Sequence, residues 1–401
     1  MPDLSIWRKL GNTLVWSPAY AWQRFTRPFP DTGPVHFIIG VADHFEPAIL
    51  PQAPSTFASQ AEQERRVDRW CEEYPKAVRD WPDSDGRFFP HTYFYPGEQY
   101  DSHLINRLAE HCHSGWGEIE IHLHHGVEKP DTSEGTRRSL TDFRDILVSH
   151  GCLSRLDGQG PPRFGFVHGN WALANSAGGR YCGVDDELQI LSDTGCYADF
   201  TLPAAPSPAQ VSKINAIYEP SLPLNRRAPH RHGRDTKLGR PPTVFPLIIQ
   251  GPLALWFARP KLKRLIPYIE NGELSGTNPP SLQRFQIWRR AAITVQGKKD
   301  WIFIKLHCHG MDPRDEDAMT GALMRRFLQE LTETTRKGGK DFVHFVTMRE
   351  MANMILAVCD GREGSPGEFR DYRLKLIRAL DDHPRAHDSE PSTPKATAMA
   401  D

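Results

Sequence analysis

The sequence predicts an α/β domain in which parallel strands alternate with crossover helices, and three observations lead there. Short β-rich runs recur at about 35–41, 88–95, 118–124, 163–168, 197–202, 301–307 and 341–346. Several are separated by stretches with helical period, the alternation that parallel strands joined by helices produce. Segment 102–113 sets Leu104, Ile105, Leu108 and Cys112 on one face, and 320–333 does so with Leu323, Phe327 and Leu331 beside Met324 and Leu328, the spacing of amphipathic helices. Finally, histidines gather where three of the predicted strands end, and in parallel α/β folds ligands collect at the C-terminal ends of strands.

Taken in chain order, residues 1–34 form an extension before the first strand. It carries Trp7, Trp16, Trp22, Phe25 and Phe29 among Arg8, Lys9, Arg24 and Arg27, a mixture that suits packing over the main domain or peripheral contact with a membrane surface through residues 1–30. The main domain is expected over 35–383. Within it, 203–295 turns proline-rich and basic, with Arg226, Arg227, His230, Arg231, His232 and Arg234, apart from one apolar run from Val244 to Ile249. That stretch reads as an insertion before the penultimate strand, with its cations in a solvated loop. Residues 384–401, rich in Ser, Pro, Thr and Ala, have little to bury and are expected to be a disordered tail.

Composition narrows the function. At 401 residues with 39% apolar and 25% charged side chains, the chain has ample material for a core. Its 49 basic and 50 acidic residues leave a net charge of −1, so no overall field draws it to nucleic acid. Seven cysteines, an odd number with no CxxC pair, read as reduced thiols. Neither a signal peptide nor a run of roughly 18 to 20 apolar residues is seen. These signs give a cytoplasmic protein, membrane-associated at most.

The chemistry gathers in the strand ends. In Glu118-Ile119-Glu120-Ile121-His122-Leu123-His124, alternation sends Ile119, Ile121 and Leu123 to one face and His122 and His124 to the other. Two imidazoles at that spacing suit a divalent cation, with zinc the expected ion. Asp43 and His44 follow the first strand, and one carboxylate joined to two imidazoles leaves a position open for water. His44 or Glu46 could supply that ligand in place of Asp43. His307 and His309, in Lys305-Leu306-His307-Cys308-His309-Gly310, point to one side, and one of them is a candidate general acid. His168, Asn170 and Trp171 end another strand with polar groups and an indole suited to stacking on a sugar. Asp193, before the next strand, could orient the site or cap a turn.

In order, these residues resemble the polysaccharide deacetylase (NodB-homology) superfamily. The matching features are Asp43-His44, Thr92-Tyr93-Phe94-Tyr95-Pro96-Gly97, the strand from Gly115 to His122, the His168 to Trp171 turn, Lys305-Leu306-His307, and the closing Phe342 to Glu350. Coverage runs from about 35 to 355. The resemblance implies a distorted (β/α)7 barrel with a metal at the C-terminal strand ends. The implied reaction is hydrolysis of the amide of an N-acetylated sugar or glycan precursor. It gives Asp43, His122 and His124 to the metal, with His44 or His125 as substitutes, Asp193 or Glu46 to the base, and His307 or His309 to the acid. The chain departs from the family pattern where Ala42 and His44 flank a single Asp43, where Gly126 stands four positions after His122, and in having Arg163 at the wrong end of its strand. Other readings are a metal-dependent phosphoesterase or amidohydrolase and a non-catalytic carbohydrate-binding barrel.

Overall fold

The computed structural model describes residues 11–27, 33–53, 56–258 and 266–377. The tail expected from 384 lies outside the described residues, as does part of the N-terminal extension. Eight strands carry the architecture: β1 (Val35–His44), β2 (His91–Pro96), β3 (Gly117–Leu123), β4 (Gln159–His168), β5 (Cys196–Asp199), β6 (Leu247–Ile249), β7 (Trp301–Cys308) and β8 (Asp341–Phe345). They pair in the order β7-β1-β2-β3-β4-β5-β6, every neighbour parallel, and the sheet curls into a half-barrel. One edge of β1 is shared, its first half pairing with β8 and its end with β2.

Eight helices matter to the argument: α1 (Ser17–Thr26), α2 (Gln60–Val78), α3 (Ser102–His111), α4 (Ser133–Ser149), α5 (Glu187–Thr194), α6 (Leu282–Arg290), α7 (Ala322–Gly338) and α8 (Met348–Cys359). Their starts follow side-chain capping rules. Ser59, Asp101 and Thr132 accept backbone N–H groups at the starts of α2, α3 and α4, and Thr347 with Glu350 closes a capping box on α8. The expected amphipathic faces are buried, by Leu104, Ile105 and Leu108 on α3 and by Met324, Phe327, Leu328 and Leu331 on α7.

Alternation along the strands divides the core. Phe37, Ile39 and Val41 of β1, Ile119, Ile121 and Leu123 of β3, and Phe164 and Phe166 of β4 pack on the helices with Trp70, Leu104 and Phe327. Ile38, Ala42, Phe94, Val167 and Phe303 point to the inner face, where they meet α8. All twelve residues of α8 are buried, which explains why it is apolar nearly all round. Its one cation, Arg349, is held by a bidentate pair with Glu118 of β3 (3.0 and 2.7 Å) and by Asp371 and the Leu374 carbonyl.

Several expectations need correcting. The run expected at 197–202 ends at Asp199, because its own carboxylate accepts the Thr201 N–H (3.1 Å) and takes it from the ladder. The strand expected at 88–95 spans His91–Pro96. Stretch 203–295 supplies β6 from the Val244–Ile249 run, and the Ile217–Pro220 and Gly233–Asp235 strands extend the sheet beyond it antiparallel. Its basic residues Arg226, Arg227, Arg231, His232 and Arg234 are exposed as expected, although Arg227 and Arg231 also donate to the Asn175 and Ser176 carbonyls and Arg234 pairs with Glu219; His230 departs from the expectation and is fully buried. Helix α1 packs on this stretch through Trp16, against Ala205, Ile214 and Leu253, while Trp22 and Phe25 face outward. Among the described residues no helix is long and apolar enough to cross a membrane.

The Glu118–Arg349 pair gives a direct test of the inner core. Arg349→Met leaves Glu118 buried without its counter-charge and is expected to cost about 3–5 kcal/mol, read as a lowered urea midpoint. An unchanged midpoint would mean that water reaches the pair.

Candidate metal centre

At the C-terminal end of β1, consecutive side chains leave the sheet on opposite sides. His44 turns to the inner mouth, where its ring lies 4.6 Å from that of His122 and 4.7 Å from that of His309. Glu46, two residues on, lies beside it and is nearly buried. Donor atoms of His44, Glu46 and His122 all fall within 4.8 Å of one another.

The backbone and a carboxylate fix the ring orientations. Nδ1 of His122 donates to the Val167 carbonyl (2.9 Å), which leaves Nε2 unprotonated and aimed at Glu46 Oε1, 3.4 Å away. His124 repeats the device: Nδ1 is held by Glu98 (2.6 Å) and Nε2 stands 3.7 Å from Glu46 Oε1. His44 Nδ1 is buried without a hydrogen-bond partner among the described residues. A ring pinned through one nitrogen with the other free is the state in which histidine binds a metal.

Burial holds His44 well below the ordinary imidazole range, and His122, His309, His307 and His124 push it further. Burial lowers His122 as well, with Glu46 opposing. Burial would raise the Glu46 carboxyl, but His122 and His124 outweigh it and bring it down to about 2. Two neutral imidazoles and an ionised carboxylate are the protonation states a divalent cation requires of its ligands. Burial would lower His124, but Glu98 and Glu46 raise it above its ordinary value.

The rim is made by His309 and Trp171, whose rings lie 6.4 Å apart and flank His44. Trp171 adopts a left-handed backbone with φ 55°, followed by Ala174 (46°) and Asn175 (55°). His307 is buried on the inner face, opposite Ala42 in the ladder, and its Nδ1 has no partner among the described residues.

The structure brings His44, Glu46, His122, His124, His307, His309 and Trp171 together and leaves other expected residues elsewhere. Asp43 leaves β1 on the helix-covered face, where it meets His91 Nε2 (2.9 Å) and the Gly310 N–H (2.7 Å). It therefore stands away from His122. Asp193 precedes the next strand as expected, but it lies on the outer surface of α5, paired with Arg137 (2.8 Å), away from the mouth. His168 points with Phe164 and Phe166 to the helix side and meets Glu187 rather than the mouth. Asn170 Nδ2 is buried and without a partner among the described residues. Sequence reasoning passed over Glu98, which no local pattern marks, and His91, which the strand hides. It also passed over Cys182 and Glu187, whose i,i+5 spacing was the available signal.

Asp43 has a clear positional duty. Gly310 follows His309, and a methyl there would collide with Asp43 Oδ2 and the Trp70 ring. Gly310→Ala is expected to lower stability by about 1–3 kcal/mol. The double variant with Asp43→Ala, which clears the carboxylate, should lose less than the sum of the two. Urea unfolding of the four proteins in the cycle reads it, and strict additivity would refute the contact.

No family model matches the chain, and no curated protein does. Among solved structures the chain is similar to that of a "putative polysaccharide deacetylase from Mycobacterium smegmatis", at 14% identity and a TM-score of 0.43. The match covers 82% of this chain and 93% of that chain.

Proposed function

We propose that the protein is a metal-dependent hydrolase that removes acetyl groups from an N-acetylated sugar or glycan precursor. The observation that carries this reading is the pinned pair at the mouth: His122 and His124 each have one nitrogen held and the other aimed at Glu46, with the unpartnered His44 Nδ1 alongside. His44, Glu46 and His122 would hold a divalent cation of the zinc class. When bound, such a cation supplies a Lewis acid and lowers the pKa of water at its open position.

The chain's own residues then divide the remaining work. His124, oriented by Glu98, accepts a proton from the attacking water at Nε2. His309, across the mouth, gives a proton to the departing amine, as general acids do within hydrogen-bond reach. Trp171 offers its face to a sugar ring beside these groups. Asp43 and the Gly310 N–H keep the His309 loop in place from behind. The order of residues shared with the deacetylase superfamily supports the amide of an N-acetyl group as the bond cleaved.

Metal analysis and acetate release from N-acetylglucosamine oligomers test the reading together. His44→Ala, His122→Ala and Glu46→Gln are expected to lose the mouth's cation and all turnover. His309→Ala keeps the cation while kcat falls roughly 10²–10⁴-fold. Occupancy should hold through the ordinary imidazole value and fall only at lower pH, because burial keeps His44 and His122 unprotonated until then. Full metal content in all three ligand variants would end the proposal. A metal-loaded protein inert on N-acetylated sugars would end its deacetylase part.

A further inference from the structure

A second donor cluster lies on the opposite side of the sheet from the mouth. His125 follows β3, His168 ends β4, Cys182 sits in the loop before α5, and Glu187 opens α5. Their donor atoms all lie within 4.8 Å of one another, and all four residues are buried. His125 Nε2 is 2.9 Å from Glu187 Oε1, Cys182 Sγ is 3.4 Å from Glu187 Oε2, and His168 Nε2 is 3.8 Å from Glu187 Oε1. Tetrahedral zinc, with ligands at about 2.0–2.3 Å, sets neighbouring donors roughly 3.3–3.8 Å apart.

We propose that His125, His168, Cys182 and Glu187 form a structural site for a divalent cation of the zinc class, separate from the mouth. Three features on the page converge on it. His125 Nδ1 is held by Asp131 (3.0 Å) and lies near Thr136 (3.2 Å), the carboxylate-histidine arrangement that orients a ligand ring. His168 Nε2 is buried and without a hydrogen-bond partner among the described residues, though it faces a carboxylate. Gly126, at φ +64°, lies so close to the Tyr181 and Cys182 carbonyls that no side chain would fit, which presses the cysteine loop onto the end of β3.

The set offers nitrogen, oxygen and sulfur donors in a closed pocket with four positions filled, the layout of a structural rather than a catalytic site. The Asn170 N–H now faces His168 Nδ1 at 3.1 Å. Ligation through Nε2 puts the ring proton on Nδ1, so this contact is given up when the ion enters. An ion here ties the segment between β4 and α5, which carries Trp171, to the ends of two central strands.

The sulfur ligand separates this site from the mouth, which has none. The full chain is stripped with a chelator and titrated with Co²⁺, and the near-ultraviolet thiolate-to-cobalt band is recorded. The band is expected in the wild type and in His122→Ala and Cys308→Ala, and absent in Cys182→Ala. Asp131→Asn, which leaves all four donors in place, is expected to weaken the affinity read from the titration about 10–100-fold. It also serves where Cys182→Ala does not fold. Absence of the band in the wild type, its persistence in Cys182→Ala, or wild-type affinity in Asp131→Asn would overturn the proposal. Loss of the band in His122→Ala would mean that the thiolate site is not separate from the mouth, and loss in Cys308→Ala would put the cobalt on the thiolate beside Asp43 and His91; either would overturn it too.

Discussion

Neighbouring side chains leave a β-strand on opposite faces, and at the ends of β1, β3 and β4 that rule sorts the polar chemistry of this protein. His44 and His122 go inward, while Asp43 and His168, one residue away from an inward position in their strands, go to the helix side. One thickness of sheet separates the two histidine groups, and its backbone serves both. The Val167 carbonyl fixes the His122 ring, and the next residue, His168, enters the cluster behind. A slip of one residue in the β3–β4 register would exchange the two populations. The long parallel pairing of β1 with β7, from His36 against Trp301 to Asp43 against Cys308, guards against an equivalent slip at the other edge.

The inner face below the mouth carries several buried polar groups that find partners. Arg349 faces Glu118. Glu120 receives the Tyr197 hydroxyl and the Gly165 N–H, and burial still lifts its carboxyl to about 8. Lys305 donates to the Phe200 carbonyl, and Asp199 receives Thr201. Paired groups of this kind stiffen a core. Against that background the free nitrogens of His44, His122 and His307 stand out, since an unsatisfied buried polar atom asks for an explanation.

Much of this was legible in the sequence, and the misses share a cause. The strand-end position of the histidines, the His122 and His124 relationship and the amphipathic faces of α3 and α7 all follow from periodicity, which the chain states locally. Asp43 and His168 lie on the helix side rather than at the mouth, because parity along a strand gives relative faces but not which face is inner. For β3, apolar Ile119, Ile121 and Leu123 answered that question, whereas both faces of β1 are apolar. Asp193 does precede a strand, but its place in the chain does not say which way it faces, and it turns outward to Arg137. Glu98 and Glu187 reach their histidines across 26 and 62 residues of chain, and no local pattern carries such contacts.

Trp171, Ala174 and Asn175 hold left-handed backbone angles that their side chains disfavour. A segment kept in such a shape owes it to neighbours rather than to its own preferences. Ala172, Leu173 and Ala174 are fully buried, and the Ala174 N–H is held by Glu187. The shape of this loop is therefore stored in the packing behind it, and the mouth inherits the position of its indole from groups on the far side of the sheet.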